Sequence, residues 1–301
     1  MGLQRLKHRF GILYDGVLAN TRLETRFLLA YLLALLVSHL VVSIFKFANG
    51  IIQIRYYMLD GYYTFGTASM PAYTVAEMIA FGPAMTVIMT WCFRKVLASW
   101  RSAGLMPAKK ARVLELLFVV SVSLFNAGIL VNRLFNVVSA QAKAFYEAMG
   151  FGYQNYVFAY FLDEIVGHLL MNSGLVLFYF VMAIAAPRDS IPLSRPEHAL
   201  NGGERLLVLA SSGVHAAIFS IENLEGQSMA FTLALTGSLA CVLFLAMVAR
   251  HNKISIMNRP FLMFLTTQLV VMLLFATMWG IALGVKPYYP YFYEPSELAS
   301  P

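Results

Sequence analysis

The chain has 301 residues, 59% of them hydrophobic and 12% charged, with a formal net charge of +7. Soluble domains carry about 45–50% apolar and about 25% charged residues, so this composition excludes an ordinary soluble fold. No arginine-rich tract or finger accompanies the positive charge, which argues against nucleic acid as a partner, and Cys92 and Cys241 both fall inside apolar runs, which leaves no disulfide framework or CxxC site.

A helix that spans a bilayer needs about 20 mostly apolar residues. Seven runs qualify, at 27–48, 73–97, 112–138, 154–186, 205–223, 228–250 and 258–285. The expected fold class is therefore all-α, a polytopic membrane bundle of seven transmembrane helices. Segment 1–26 carries Arg5, Lys7, Arg9, Arg22 and Arg26 before a run too long for a signal-peptide core, so it reads as a retained cytoplasmic segment.

The first outer link, 49–72, is too polar to span and reads as an interfacial cap, with Arg55, Asp60 and the cluster Tyr56, Tyr57, Tyr62 and Tyr63. In the second run Pro83 removes a backbone donor and is expected to kink the helix. The third run carries Asn126, Asn132, Arg133 and Asn136; the fourth is over-long, opens on aromatic residues Tyr153 to Tyr160, and continues through Asp163, Glu164, His168 and Asn172. Asn201-Gly202-Gly203 reads as a turn before the fifth helix, which carries Ser211, His215 and Glu222. In the seventh, Gly280 and Gly284 form a small-xxx-small pair suited to close helix contact.

Lysine and arginine mark cytoplasmic links. They crowd the N-terminal segment and the links after the second (Arg94, Lys95, Arg101, Lys109, Lys110, Arg112), fourth (Arg188, Arg195, Arg205) and sixth runs (Arg250, Lys253, Arg259). The remaining links and the tail 286–301 are poor in them, with Lys143 and Lys286. The expected orientation is N-terminus cytoplasmic and C-terminus outside. Most tyrosines then fall on the outer side, a possible docking surface for protein partners beside membrane lipid.

Ionisable side chains in a spanning segment are costly and point to function. Glu164, His168 and Asn172, at i, i+4 and i+8, share one helical stripe beside Asp163, and His215 and Glu222 lie two turns apart on another. Imidazole with carboxylate is a usual ligand set for zinc or iron, so Glu164, His168 and His215 are the expected metal ligands. Asp163 and Glu222 are the expected catalytic groups, as fourth ligand or general base, and Arg133 and Asn172 are the expected charge partner and substrate contact. Arg133 is expected to pair with Asp163 or Glu164, and His39 reads as a packing residue.

The residues His168 to Asn172 and Ala210 to Gly213 resemble the HxxxN and GxSG elements of rhomboid proteases, but no histidine follows in the sixth or seventh run to act as base. The seven-span topology is similar to that of adiponectin-receptor-like hydrolases, whose paired histidines in the last span are missing here. The leading expectation is a metal-dependent membrane enzyme acting on a lipid or other apolar substrate. A transporter or proton-coupled carrier using the same charges, and a non-catalytic subunit of a larger complex, are the alternatives.

Overall fold

The computed structural model describes residues 23–47, 51–52, 58–60, 63–65, 70–102, 106–185, 200–248, 256–287 and 291–293. Seven helical runs within them are long and apolar enough to cross a membrane. Helix α1 (Leu23–Phe47) is the first span. The second is α2 (Ala72–Ile79), a π-helical turn Ala80–Ala84, and α3 (Met85–Ser102). The third is α4 (Ala108–Met149); the fourth is α5 (Tyr153–Tyr160), a π-helical stretch Phe161–Gly167, and α6 (His168–Ala185). The fifth, sixth and seventh are α7 (Gly202–Glu225), α8 (Met229–Val248) and α9 (Pro260–Leu283). The basic residues at 5, 7, 9, 22, 188, 195, 250 and 253, and Arg55, Tyr56, Tyr57 and Tyr62 of the cap, lie outside the described residues.

The seven runs fall where hydropathy put them, with one difference in length. The third span continues to Met149, and its 42 residues would extend about 63 Å at 1.5 Å per residue, twice the hydrocarbon core of about 30 Å. Nothing between 139 and 149 breaks a helix, and the helix ends only at Gly150, whose φ of 73° suits glycine. Gln141, Lys143 and Glu147 on this extension suit an aqueous or headgroup setting. The link 49–72 contains two small antiparallel pairs, Ile51–Ile52 with Met70–Pro71 and Met58–Asp60 with Tyr63–Phe65.

Large apolar side chains line the outside of the bundle in helical stripes, among them Leu33, Val37, Leu40 and Ile44 on the first span and Leu274, Met278 and Ile281 on the seventh. Surfaces of this kind do not persist on a soluble monomer; lipid is the solvent they fit. The chain is a multi-pass membrane protein. Alternation of the spans gathers Arg26, Arg94, Arg101, Lys109, Arg205 and Arg259 at one end, called the basic face below, and Tyr146, Tyr153, Tyr156 and Tyr160 at the other, the tyrosine face. Successive rings of those four tyrosines lie 5.2 to 6.3 Å apart.

The third and fourth spans make the closest contact in the bundle. A Cβ at Gly128 would stand 2.6 Å from the Cα of Met171, one at Gly167 2.8 Å from the Cα of Asn132, and one at Gly174 2.7 Å from the Cα of Phe125. The neighbours are backbone atoms, which cannot step aside. Gly280 and Gly284 do not form the helix–helix contact expected of them: Gly284 lies past the end of α9 with a φ of 85°, and a Cβ on Gly280 would meet Val285 of the chain's own tail at 3.2 Å. The tail folds back there, with Lys286 N–H donating to the Tyr291 carbonyl at 2.8 Å and the Trp279 indole N–H to the Tyr293 carbonyl at 2.8 Å.

Pro83 produces a π turn in place of a plain kink. The turn's Ala80 carbonyl accepts a hydrogen bond of 3.3 Å from the Ser38 hydroxyl of the first span, the kind of side-chain compensation that makes proline tolerable in lipid. At the fifth span, where the sequence read as a turn before a helix, Asn201 and Glu204 form a complete capping box.

Gly174→Val drives a side chain into the backbone of the third span, and is expected to cost about 1–3 kcal/mol or more in an unfolding titration in detergent. Gly213→Ala, where a new Cβ meets nothing within 4 Å, is expected to be neutral or stabilising by up to about 1 kcal/mol, the helix-propensity difference.

Candidate functional site

Three hydrogen-bonded groups, each contributed by more than one span, occupy the interior. Nearest the basic face, Tyr31 of the first span, Tyr179 of the fourth and His215 of the fifth form a chain, with 2.8 Å between the two hydroxyls and 2.7 Å from the Tyr179 hydroxyl to His215 Nε2. Phe264 of the seventh span and Phe219 of the fifth close over the imidazole, each with its ring centre 5.5 Å away. His215 is 2% exposed.

Further towards the tyrosine face, the Asn172 amide donates to Asn223 Oδ1 at 2.9 Å and to the Ser228 hydroxyl at 2.8 Å, and Ser228 in turn donates to Asn223. This triangle ties the fourth span to the turn between the fifth and sixth. All three residues are fully buried. The same turn meets the fourth span again where Gly226 lies against the ring of His168, in space a Cβ would need, and where the Gln227 amide donates to the Tyr160 hydroxyl at 3.0 Å.

The charged layer lies nearest the tyrosine face. Asp163 accepts from the Asn132 amide at 2.9 Å. Arg133 pairs with Glu77 of the second span, Nε to carboxylate 3.4 Å. The expected partner was Asp163 or Glu164; the ion pair found is with Glu77. Glu164 and His168 approach to 3.9 Å one turn apart. Asp163 and Glu164 both belong to the π-helical stretch Phe161–Gly167, and π turns inside helices collect at functional sites.

Between the chain at His215 and the charged layer lies a small cavity of about 40 Å³, walled by the first five spans. Its middle is apolar, with Leu35, Met85, Phe125, Ile129, Met171 and Leu175. Tyr31 and His215 stand at the end nearer the basic face, and His39, Arg133 and Glu222 at the other. Seven residues of helix separate His215 from Glu222, about 10 Å at 1.5 Å per residue, and that rise is the spacing between the polar ends.

The predicted residues separate into two places. His215, Glu222 and Arg133 share the cavity; Asp163, Glu164, His168 and Asn172 belong to the side-chain networks of the fourth span. Glu164, His168 and His215 are not brought together, because His215 is bonded to Tyr179, eleven residues or about 16 Å of helix from His168. Among the described residues no group of three or more His, Cys, Asp and Glu is placed to hold a metal ion. Glu164 and His168 offer two donors where zinc sites use three or four protein ligands, so the donor set does not fit zinc or iron as expected and no chemical step is assigned to one.

The sequence reading set His39 aside as a packing residue and gave no role to Tyr31, Tyr179, Glu77, Asn223 or Ser228. His39 and Glu77 were visible as ionisable residues in apolar runs. The tyrosines carried no such signal, because Tyr179 sits in a run where phenylalanine would read alike. Comparison with family models, curated proteins and solved structures gives no match, so the reading of this site rests on the chain's own chemistry.

Asn172→Leu removes two hydrogen bonds from the buried triangle and is expected to lower stability in detergent by about 1 kcal/mol, the scale of interhelical hydrogen bonds in membranes. A melting or denaturant titration checks this, with Asn126→Ala, which loses a single interhelical bond to Thr86, expected to lose less.

Proposed function

We propose that this protein binds an amphipathic, lipid-like molecule between its first five spans, for chemistry or transfer, by widening the small cavity of about 40 Å³ found there. The lining carries the reading: once the spans part, an apolar body would lie against Leu35, Met85, Phe125 and Leu175, and a polar head would reach Arg133 and Glu222. Arg133 suits an acidic group, since a guanidinium stays charged and offers a fork of donors. Glu222 suits a hydroxyl or amino group on the same head. His215 and Glu222 are the groups able to exchange a proton with the bound molecule.

Two further observations support a ligand site here. The π segments Ala80–Ala84 and Phe161–Gly167 lie in the two spans that supply Phe81 and, through Glu164 and His168, the charged layer, and such segments are weak points in helix geometry that proteins keep for function. His39 lines this cavity, and its buried Nε2 has no hydrogen-bond partner among the described residues. By the lysine and arginine asymmetry the basic face is cytoplasmic, and the head end of the site then lies in the outer half of the bilayer.

Organic extraction and mass spectrometry of the purified protein is expected to recover a bound amphipathic lipid in wild type and to lose it in Leu175→Trp, which fills the middle of the cavity. Equal recovery from both, or none above a detergent blank, would overturn the reading. For orientation, a cysteine placed at Gln227 is expected to react with an impermeant maleimide on intact cells, and one at Lys109 only after the cells are opened.

A further inference from the structure

The second and third spans are tied together at two levels. Nearer the middle of the bilayer the Asn126 amide donates to the Thr86 hydroxyl at 2.6 Å, and at the basic face the Arg101 guanidinium pairs with Glu115 at 2.8 Å. Between these ties the two helices leave an open groove of about 430 Å³ on the outside of the bundle, with Phe93 and Arg94 of α3 and Glu115, Phe118, Val119 and Val122 of α4 on its walls. Phe93 and Phe118 are buried and stack face to face, ring centres 4.3 Å apart, and form its floor. The groove shares no lining residue with the inner cavity.

Arg94 is the charge in this groove that the protein leaves unanswered. It is exposed and has no hydrogen-bond or ion-pair partner among the described residues, and the groove's own carboxylate, Glu115, is taken by Arg101. The Phe93–Phe118 stack puts Arg94 level with Phe118, six residues or about 9 Å of helix past Arg112, where the third apolar run begins. An ionisable side chain at that depth is costly unless it meets an opposite charge. A long arginine facing lipid reaches for the headgroup level, and the anion found there is a lipid phosphate, whose oxygens match the guanidinium fork. Below that level the wall is apolar. From Glu115 to Val122 it rises about 10 Å, most of the hydrocarbon depth of one leaflet, about 15 Å.

We infer that this groove is a binding site for an anionic phospholipid of the leaflet at the basic face, its phosphate on Arg94 and one acyl chain laid over the Phe93–Phe118 stack along Val119 and Val122. A zwitterionic lipid would bring its ammonium among Arg94, Lys95 and Arg112, all exposed at this end; an anionic one brings no such repulsion. By the lysine and arginine asymmetry this leaflet is the cytoplasmic one, which carries the anionic lipids. The site stands whether or not the inner cavity takes a ligand.

The test is native mass spectrometry of delipidated protein in detergent, incubated with equal amounts of dioleoyl phosphatidylglycerol and dioleoyl phosphatidylcholine, which share their acyl chains. Wild type is expected to retain the phosphatidylglycerol at least fivefold over the phosphatidylcholine, and Arg94→Gln, which removes no contact within the protein, to fall below twofold. Lys95→Gln, a neighbouring charge outside the groove, is expected to keep most of the preference, and Val119→Trp, which fills the groove, to retain less of either lipid. Leu175→Trp, which fills the inner cavity, is expected to leave the preference unchanged, so the two sites are read separately. Equal retention of both lipids by wild type, a preference that survives Arg94→Gln, or a loss as great in Lys95→Gln or Leu175→Trp would overturn the inference. So would displacement of the phosphatidylglycerol by glycerol 3-phosphate at equal concentration, which would mark a site for free phosphate esters and not for a lipid.

Discussion

The close packing of the third span on the fourth is the constraint on which the interior depends. Lipid tails are as apolar as leucine, so helices in a bilayer are held together by packing and hydrogen bonds more than by the hydrophobic effect. Gly128, Gly167 and Gly174 allow the two backbones to approach to where any Cβ would strike backbone atoms of the other helix. With its rotation fixed there, the fourth span presents Asp163 to Asn132, Asn172 to the Asn223–Ser228 turn and Tyr179 to His215. A rotation by one residue would break all three at once.

The polar residues follow from a second rule, that groups buried in hydrocarbon must find partners within the protein. The tyrosine–histidine chain, the asparagine–serine triangle and the charged layer obey it to different degrees. The triangle satisfies nearly every group and reads as structural. The charged layer pairs Arg133 with Glu77 and Asp163 with Asn132. Among the described residues, buried polar atoms without a hydrogen-bond partner occur in the charged layer, at Asn132 Oδ1 and His168 Nδ1, as well as at the cavity, at His215 Nδ1 and His39 Nε2.

Several readings were within reach of the sequence, and their limits are instructive. The stripe Glu164–His168–Asn172 was legible because helical spacing is local, and Glu164 and His168 do meet. Arg133 was recognised as needing a carboxylate, but its partner is Glu77, fifty-six residues earlier in the chain, a choice that depends on which helices are neighbours. His168 and His215 stood out as intramembrane histidines, yet Tyr179 holds His215 at another depth. Gly280 and Gly284 had the right spacing for helix contact, and were taken by the tail instead because α9 ends before Gly284.

The sequence by itself determined the solvent, the number of spans and the set of polar residues that had to be buried. Those properties are written in local runs of hydropathy and in a helical period that neighbours cannot change. Only the tertiary structure decided which of those residues meet, where the cavity opens, and that His39 and the tyrosines belong to its ends. Those depend on each helix's rotation about its axis and its depth against its neighbours. Packing between backbones sets both, and no stretch of one helix encodes either alone.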